Sequence, residues 1–426
     1  MNFKSKLINS IWLAFDKLIT LMGGVLVTVY VARYLGPENM GVYNLAIALA
    51  SFLLPLSQIG GENLIYNRGS RSGLKALSLI LNTDGFRNLI YITLAIFVSL
   101  FFYFIDESIK NTIVLILILI AYGFYSGDLY RVYFDVISKS KVNSVTSQVG
   151  LYSSILIRIV LVKFNASMVW FGIPYIIMYG LPYLLKRRIV RKGNASRYQG
   201  KKTSLYKQFL IVNGLPLAIS GLSVVLYTRI SQLIIASEIN VGAVAIYNAA
   251  LVIAQSWSFI PSALLISFLS LTLKERKEDI DGLSLIFQTM LISSFPFLAI
   301  FFLYAEDIVL YSYGPGYLEA SKYIFLLSLS TLLSVLGTLF YRVLVFKGAV
   351  KYLMSKMLFT SLFNVILSFY LVSLYGIWGA VYSILLTEFL SLTVFNYLYA
   401  NFYALKLQVR LFNIASSLRF INTHYR

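Results

Sequence analysis

Seven ionisable side chains that are able to hold an anionic ligand or carry a proton lie within long apolar stretches of the sequence. A charged side chain at the centre of a bilayer costs a few kcal/mol unless it faces a cavity or a partner. These positions are therefore the candidates for a functional site inside a membrane. They are Asp16, Lys17, Asp128, Arg158, Arg229, Arg342 and Glu388.

The four basic candidates favour an anionic ligand. A guanidinium group stays charged and binds phosphate through two parallel hydrogen bonds. Arg158, Arg229, Lys17 and Arg342 are therefore candidates for a cavity that binds a pyrophosphate and its sugars. For Lys17 and Arg342, which lie near the cytoplasmic ends of their apolar stretches, extension of the head group to the membrane interface is the alternative. For Arg158 and Arg229 the alternative is a structural ion pair.

The three acidic candidates are Glu388, Asp16 and Asp128, which would balance a cation or couple transport to an ion. Glu388 is either the counter-ion of an arginine or a carboxyl group that exchanges a proton, and the sequence leaves both open. Asp128 precedes Arg131 by three residues, which places both on one helical face and allows them to pair.

Enzymatic chemistry has little support in the residue types. The chain has no Cys, and its one His is His424 near the end. It lacks the Gly-rich phosphate loop and the paired-histidine zinc motif. The longest connection predicted outside the cytoplasm, residues 305–321, is too short for an extracytoplasmic catalytic loop. We therefore predict no catalytic residue, no metal and no cofactor.

The composition predicts an all-α, polytopic membrane protein. Hydrophobic residues make up 59% of the 426 and charged residues 12%, against about 25% charged in a soluble domain. Apolar runs of about 20 residues follow one another, and each is long enough to cross the hydrocarbon core. We predict twelve spans, near 11–33, 40–60, 88–105, 112–131, 144–162, 167–185, 209–236, 243–270, 284–304, 322–346, 354–374 and 377–400.

The placement of the basic residues predicts the orientation. Of the 36 Lys and Arg residues, 28 fall in connections on one side of the twelve spans and 4 on the other. Basic residues accumulate in short cytoplasmic loops, so both termini are predicted to be cytoplasmic. The net charge of +19 is explained by these short clusters, and no aromatic-interleaved basic surface predicts binding of nucleic acid.

A basic connection near the middle of the chain predicts two lobes. Residues 186–208 carry nine Lys and Arg and are interpreted as a cytoplasmic linker between six-helix lobes at 1–200 and 201–426. The segment Gly41 to Ala46 is similar to Ala245 to Ala250, 204 residues later. Repeats of six spans would run parallel, with a cavity between them.

Several turn and packing motifs resemble those of one membrane family. They are Tyr30 to Glu38 followed by Gly41 to Asn44, Gly242 to Tyr247, Tyr313 to Tyr317, and Tyr375 to Ala380. With them the chain resembles the Wzx-type O-antigen flippases of the multidrug/oligosaccharidyl-lipid/polysaccharide exporter (MOP) superfamily. The family often has an acidic residue after the segment equivalent to Tyr227–Ile230, where this chain has Ser231 and Gln232. That difference favours a cargo phosphate as the partner of Arg229.

The resemblance implies a function in lipopolysaccharide biosynthesis in the bacterial inner membrane. The cargo would be an undecaprenyl-pyrophosphate-linked oligosaccharide, moved from the cytoplasmic to the periplasmic leaflet by alternating access driven by an ion gradient. A polysaccharide polymerase and a chain-length regulator are candidate partners. The alternatives are a proton- or sodium-coupled drug exporter of the same superfamily and a membrane glycosyl polymerase.

Overall fold

A computed structural model gives the backbone of residues 3–69, 72–106, 108–192, 203–274, 277–278, 280–399 and 403–411. Within these ranges, side chains are described from residue 23 onward, except at 266–268, 270–280, 350, 403–404, 407 and 410. The chain groups into two compact units, Met1–Leu226 and Tyr227–Arg426. The helix α8 contributes to both. Each unit is described separately below.

Unit 1 is built from helices because a helix satisfies its own backbone groups where no water is available. A 3₁₀ turn at Met168–Gly172 precedes α7. The helices are α1 (Phe3–Gln58), α2 (Gly61–Gly69), α3 (Gly73–Ile105), α4 (Ile109–Gly127), α5 (Tyr130–Val136), α6 (Ser140–Lys163), α7 (Ile173–Lys192) and α8 (Thr203–Glu238).

A break at Gly36 divides α1 into the first two predicted spans. Gly36 has φ 75° and ψ 170°, outside the helical region, and Pro37 follows it. Glycine adopts a positive φ at no steric cost, and proline has no N–H to continue the helix. The turn motif found in the sequence therefore ends one span and begins the next.

Close helix contacts hold unit 1 together. α6 packs against α7, and α4 packs against α1, α3 and α7. The first half of α8 meets the end of α1, where a Cβ on Gly214 would lie 2.0 Å from the Ile59 carbonyl oxygen. Only glycine permits this approach, which joins residues 203–226 to unit 1.

Unit 2 contains the end of α8 and nine further helices. α15 packs against α13 and α14, α10 against α11, and α9 against α13. A 3₁₀ turn at Pro315–Ala320 precedes α13. The elements are α9 (Val241–Gln255), α10 (Phe259–Thr272), the antiparallel strands β1 (Leu273–Lys274) and β2 (Lys277–Glu278), α11 (Ile280–Leu303), α12 (Ala305–Ser312), α13 (Ser321–Phe346), α14 (Val350–Tyr375), α15 (Ile377–Leu392), α16 (Val394–Tyr397) and α17 (Tyr403–Leu411).

The helices confirm the prediction of an all-α polytopic protein. Among the described residues, ten helices are long and apolar enough to cross a membrane, and the pair α9 and α10, bent by 41°, makes an eleventh. α1 contributes one of the ten, Gly23–Gln58, which continues through the break at Gly36. When α1 is divided at Gly36, all twelve predicted spans fall on helices.

Some predicted loops are helical. Residues 61–87 contain α2 and the first turns of α3, and residues 131–143 contain most of α5 and the start of α6. The linker predicted at 186–208 is shorter, because α7 continues to Lys192 and α8 begins at Thr203. Residues 193–202 lie outside the described residues. Short helices and helix extensions therefore carry part of the charge that we assigned to loops.

Candidate functional site

Arg158 is the predicted cavity residue in unit 1, and it lies on α6 with 5% of its surface exposed. Its guanidinium carbon lies 4.4 Å from the centre of the Tyr175 ring. The Tyr175 ring stacks on Tyr43 at 5.9 Å, and the Tyr43 hydroxyl donates a 2.7 Å hydrogen bond to the Met168 carbonyl. Aromatic faces attract a cation. The rings therefore hold Arg158 without neutralising it.

More tyrosines surround this arrangement. Tyr179 lies one helical turn after Tyr175, and its ring centre is 5.1 Å from Tyr125 and 5.5 Å from Tyr122. The five residues Tyr43, Tyr122, Tyr125, Tyr175 and Tyr179, from α1, α4 and α7, are called here the tyrosine cluster. Tyrosine combines an apolar face with a hydroxyl, so the cluster offers both stacking surfaces and hydrogen-bonding groups.

No acidic side chain within the described residues forms an ion pair with Arg158. The interactions that hold it are aromatic. A buried cation that no described carboxylate neutralises keeps its capacity to bind an anion.

Arg229 lies on α8 in unit 2, and its described hydrogen-bond partner is a neutral side chain. Its Nη1 donates a 3.5 Å hydrogen bond to Oε1 of Gln232, and the Gln232 amide in turn donates to Oδ1 of Asn248 at 3.1 Å. Gln232 stands in the segment where the similar family often has an acidic residue. An amide orients the guanidinium without cancelling its charge.

Glu388 lies on α15, and its partner is Tyr227 of α8, whose hydroxyl donates a hydrogen bond to Oε1. Ser334 also donates to Glu388, and Lys356 lies close enough to interact with it electrostatically. The Lys356 ammonium group donates a 2.7 Å bond to Oδ1 of Asn396. Of the cations described in unit 2, Lys356 rather than an arginine is therefore the neighbour of Glu388.

A row of hydroxyl groups runs between α8, α14 and α15. Ser231 contacts Ser368 at 3.3 Å, and Ser368 contacts Ser383 at 2.9 Å. Asn364 donates a 3.1 Å hydrogen bond to Thr387, the residue before Glu388. These buried groups bind one another, and so they fix α15 and the position of Glu388.

The predicted pair of Asp128 and Arg131 is not formed by the side chains. α4 ends at Gly127, and Asp128 binds Lys186 of α7 at 2.6 Å instead, with 7% of Asp128 and 1% of Lys186 exposed. Arg131 forms an ion pair with Glu62 of α2. The break between α4 and α5 removes the helical spacing on which the prediction rested. Lys186, which we assigned to the cytoplasmic linker, is buried, since α7 continues to Lys192.

The remaining candidates lie apart from these groups or outside the description. Arg342 is exposed on α13, and no hydrogen bond or ion pair among the described residues joins it to Glu388 or Arg229. Asp16 and Lys17 lie on α1, but their side chains are outside the described residues. The described residues hold no group of three or more His, Cys, Asp or Glu side chains that would bind a metal.

The comparison with protein families decides the membership of the chain. The model of the family described as "Polysaccharide biosynthesis protein" matches residues 7–273. The chain belongs to this polysaccharide biosynthesis family. No curated protein matches it by sequence.

Solved structures share the fold of this family member. A structure of the lipid II flippase MurJ in an inward closed conformation is similar with a TM-score of 0.70 and 14% identity over 99% of each chain. An inward-facing multidrug resistance MATE family transporter of the MOP superfamily gives 0.65 and 13% over 94% of this chain and 99% of that one. A Vibrio cholerae MATE transporter, VcmN, gives 0.56 and 12% over 99% and 98%. The family model and these shared folds together confirm the predicted resemblance to polysaccharide flippases and their structural relatives.

Two features of this polysaccharide biosynthesis protein were missed in the sequence. The tyrosine cluster was hidden among the 32 tyrosines of the chain. Its signal is helical spacing, three residues from Tyr122 to Tyr125 and four from Tyr175 to Tyr179. The Tyr227 partner of Glu388 had no such signal, since 161 residues separate the two.

Proposed function

We propose that this protein is a flippase that moves an undecaprenyl-pyrophosphate-linked oligosaccharide repeat unit, of the O-antigen type, from the cytoplasmic to the periplasmic leaflet. The observation that carries the proposal is Arg158 in a member of the polysaccharide biosynthesis family. It is buried, lies 4.4 Å from an aromatic face and has no acidic partner among the described residues. Such a cation suits a pyrophosphate.

The tyrosine cluster supports a sugar as the neighbour of that pyrophosphate. A sugar ring presents apolar C–H faces and hydroxyl groups, and tyrosine offers matching surfaces for both. In this proposal the polyprenyl tail stays in the bilayer while the pyrophosphate and sugars pass the cluster. The reaction breaks no covalent bond.

Arg229 and Glu388 provide the second half of the proposal. Arg229 would bind the cargo phosphate, since its described partner is the neutral Gln232. Glu388 would couple the cycle to an ion gradient, which we propose to be that of protons. Its contact with Tyr227 supports this role, because a proton gained or lost there would change the link between α8 and α15.

The proposed setting is the bacterial inner membrane with both termini in the cytoplasm. The 28 to 4 distribution of Lys and Arg supports that orientation. We further propose alternating access between six-helix lobes at 1–200 and 201–426, and delivery of the repeat unit to a polymerase and its chain-length regulator.

The test is the fate of single repeat units. In cells that lack this protein, lipid-linked repeat units should accumulate in the cytoplasmic leaflet, and the intact gene should release them. Arg158→Ala and Arg229→Ala should fail to restore surface polysaccharide while reaching the membrane in normal amount. Lys110→Ala, which removes an exposed charge outside the candidate site, is the matched control and should restore it.

Three results would count against the proposal. Repeat units that reach the periplasm unpolymerised in the deletion strain would indicate a later step. Full activity of both arginine variants would exclude them from cargo binding. A deletion strain with normal polysaccharide and increased sensitivity to cationic drugs would favour the drug exporter, for which the likeness to MATE transporters is the supporting observation.

A further inference from the structure

An apolar groove runs along the surface of unit 1 between α3, α4 and α7. It has a volume of about 640 Å³. Six of its large apolar residues have between 40% and 55% of their surface exposed. They are Ile92, Ile96, Leu100, Ile116, Ile120 and Leu184. Apolar side chains that line an open groove within membrane spans are suited to a hydrocarbon chain.

One end of the groove is strongly basic. Leu184 and Arg187 line it and also line a second cavity of about 450 Å³, which is completed by Arg188, Arg191 and Lys192. Steps of three and four residues place these side chains on one face of α7. The hydrocarbon groove therefore opens directly onto a patch of four positive charges.

The patch is only weakly neutralised by the described residues. Asp84 contacts Arg187 at 3.8 Å, but it also contacts the buried Arg87 at 3.4 Å. The buried Nε of Arg187 has no hydrogen-bond partner. Arg188 and Arg191 are exposed, and no ion pair among the described residues includes them. The patch therefore carries excess positive charge.

The length of the groove matches one leaflet. Along α3 its lining extends from Asn88 to Leu100, or about 18 Å at 1.5 Å per residue. Half of the hydrocarbon core is about 15 Å. A chain whose head group lies at the basic patch would thus end near the bilayer midplane, whereas an undecaprenyl chain is much longer than one leaflet.

We propose that this groove is a binding site for one anionic diacyl phospholipid of the leaflet next to the basic patch. An acyl chain lies along α3 and α4, and the phosphate binds Arg187, Arg188 and Arg191. The site differs from the proposed cargo site, although both use α4 and α7. Neither Arg158 nor any residue of the tyrosine cluster lines the groove or the second cavity. The proposal is therefore independent of the transported cargo.

The experiment measures lipid binding by the purified full chain in detergent by native mass spectrometry. Phosphatidylglycerol should be retained at one molecule per chain, in preference to phosphatidylcholine. Arg188→Gln combined with Arg191→Gln should weaken retention about 30-fold, because each basic residue next to an anionic lipid raises its affinity about fivefold. The control is Lys139→Gln with Lys141→Gln, which removes two exposed charges elsewhere in unit 1 and should leave retention unchanged.

The apolar part of the site is tested by filling it. Ala95→Phe places a ring in the groove, and loss of even two buried methylene contacts should weaken binding about tenfold. Thr93→Phe, at an exposed position of α3 that does not line the groove, should bind as the natural chain does.

Three results would overturn the proposal. They are equal loss in the groove and control variants, equal retention of both phospholipids, and displacement of phosphatidylglycerol by an equimolar polyprenyl phosphate. The measurement involves no transport, so a failure of the proposed flippase function would leave its outcome unchanged.

Discussion

The hydroxyl of Tyr227 donates a hydrogen bond to Oε1 of Glu388, which joins α8 to α15 across 161 residues of sequence. A hydrogen bond to a charged group contributes about 1.5–3 kcal/mol. This contact fixes the carboxyl group that we propose to couple transport to an ion. Replacing Tyr227 by Phe removes only the hydroxyl oxygen and therefore tests this contact directly.

Tyr227→Phe should lower both stability and transport. It removes the hydroxyl and leaves the partly buried Glu388 short of a donor, so we expect a loss of about 1–3 kcal/mol in thermal unfolding in detergent. Surface polysaccharide should fall with it. Tyr382→Phe, at an exposed position of α15, should change neither. If Tyr227→Phe is as stable and active as the natural chain, the contact has no role.

Tyr175→Leu should weaken the hold on Arg158. The ring lies 4.4 Å from the guanidinium, and such a contact contributes about 0.5–2 kcal/mol. Tyr175→Phe keeps the aromatic face and should retain stability within about 0.5 kcal/mol. The two variants are compared by thermal unfolding and by export of polysaccharide. Equal behaviour would show that the aromatic face does not hold Arg158.

Lys186→Met should destabilise unit 1 strongly. It leaves Asp128, 7% exposed, as a buried carboxylate without its cation, at a cost of about 3–5 kcal/mol. The double variant Lys186→Met with Asp128→Leu should recover most of that stability, because it removes the uncompensated charge. The control is Arg188→Met, at an exposed position of α7 that forms no ion pair among the described residues. Loss of stability in the double variant equal to that in the single one would contradict the pair.

Gly214→Ala should disturb the contact between α8 and the end of α1. The added Cβ would lie 2.0 Å from the Ile59 carbonyl oxygen, so the backbones must separate, at a cost of about 1–3 kcal/mol. Gly85→Ala, whose Cβ would meet nothing within 4 Å, should be neutral or stabilising. Thermal unfolding of the two purified variants gives the comparison, and equal midpoints would refute the close approach.

The absence of Cys makes the orientation directly measurable. Lys139→Cys and Lys163→Cys place single thiols at two exposed positions. Lys139 precedes the first residue of α6, and Lys163 is its last residue. With both termini in the cytoplasm, a membrane-impermeant maleimide added outside the inner membrane should label Lys163→Cys in intact cells and Lys139→Cys only after permeabilisation. The reverse pattern would invert the proposed topology.

The sequence predicted the membrane spans well but assigned some charges wrongly. Each span is a continuous apolar run whose length is set by the bilayer, so it can be recognised without knowledge of the helices that pack against it. Lys186 and Arg87 were counted as loop residues, although both are 1% exposed in the structure. Their helices continue beyond the apolar runs, and their charges are buried against acidic residues.

The sequence by itself determined the all-α architecture, the twelve apolar segments and the turn at Gly36, because hydropathy and backbone conformation act over a few residues. It also identified Arg158, Arg229 and Glu388 as charges inside spans. Only the tertiary structure decided their partners, which are Tyr175, Gln232 and Tyr227. Two of these contacts join different helices, and the rotation of each helix about its axis is fixed by packing against neighbours that the local sequence does not specify.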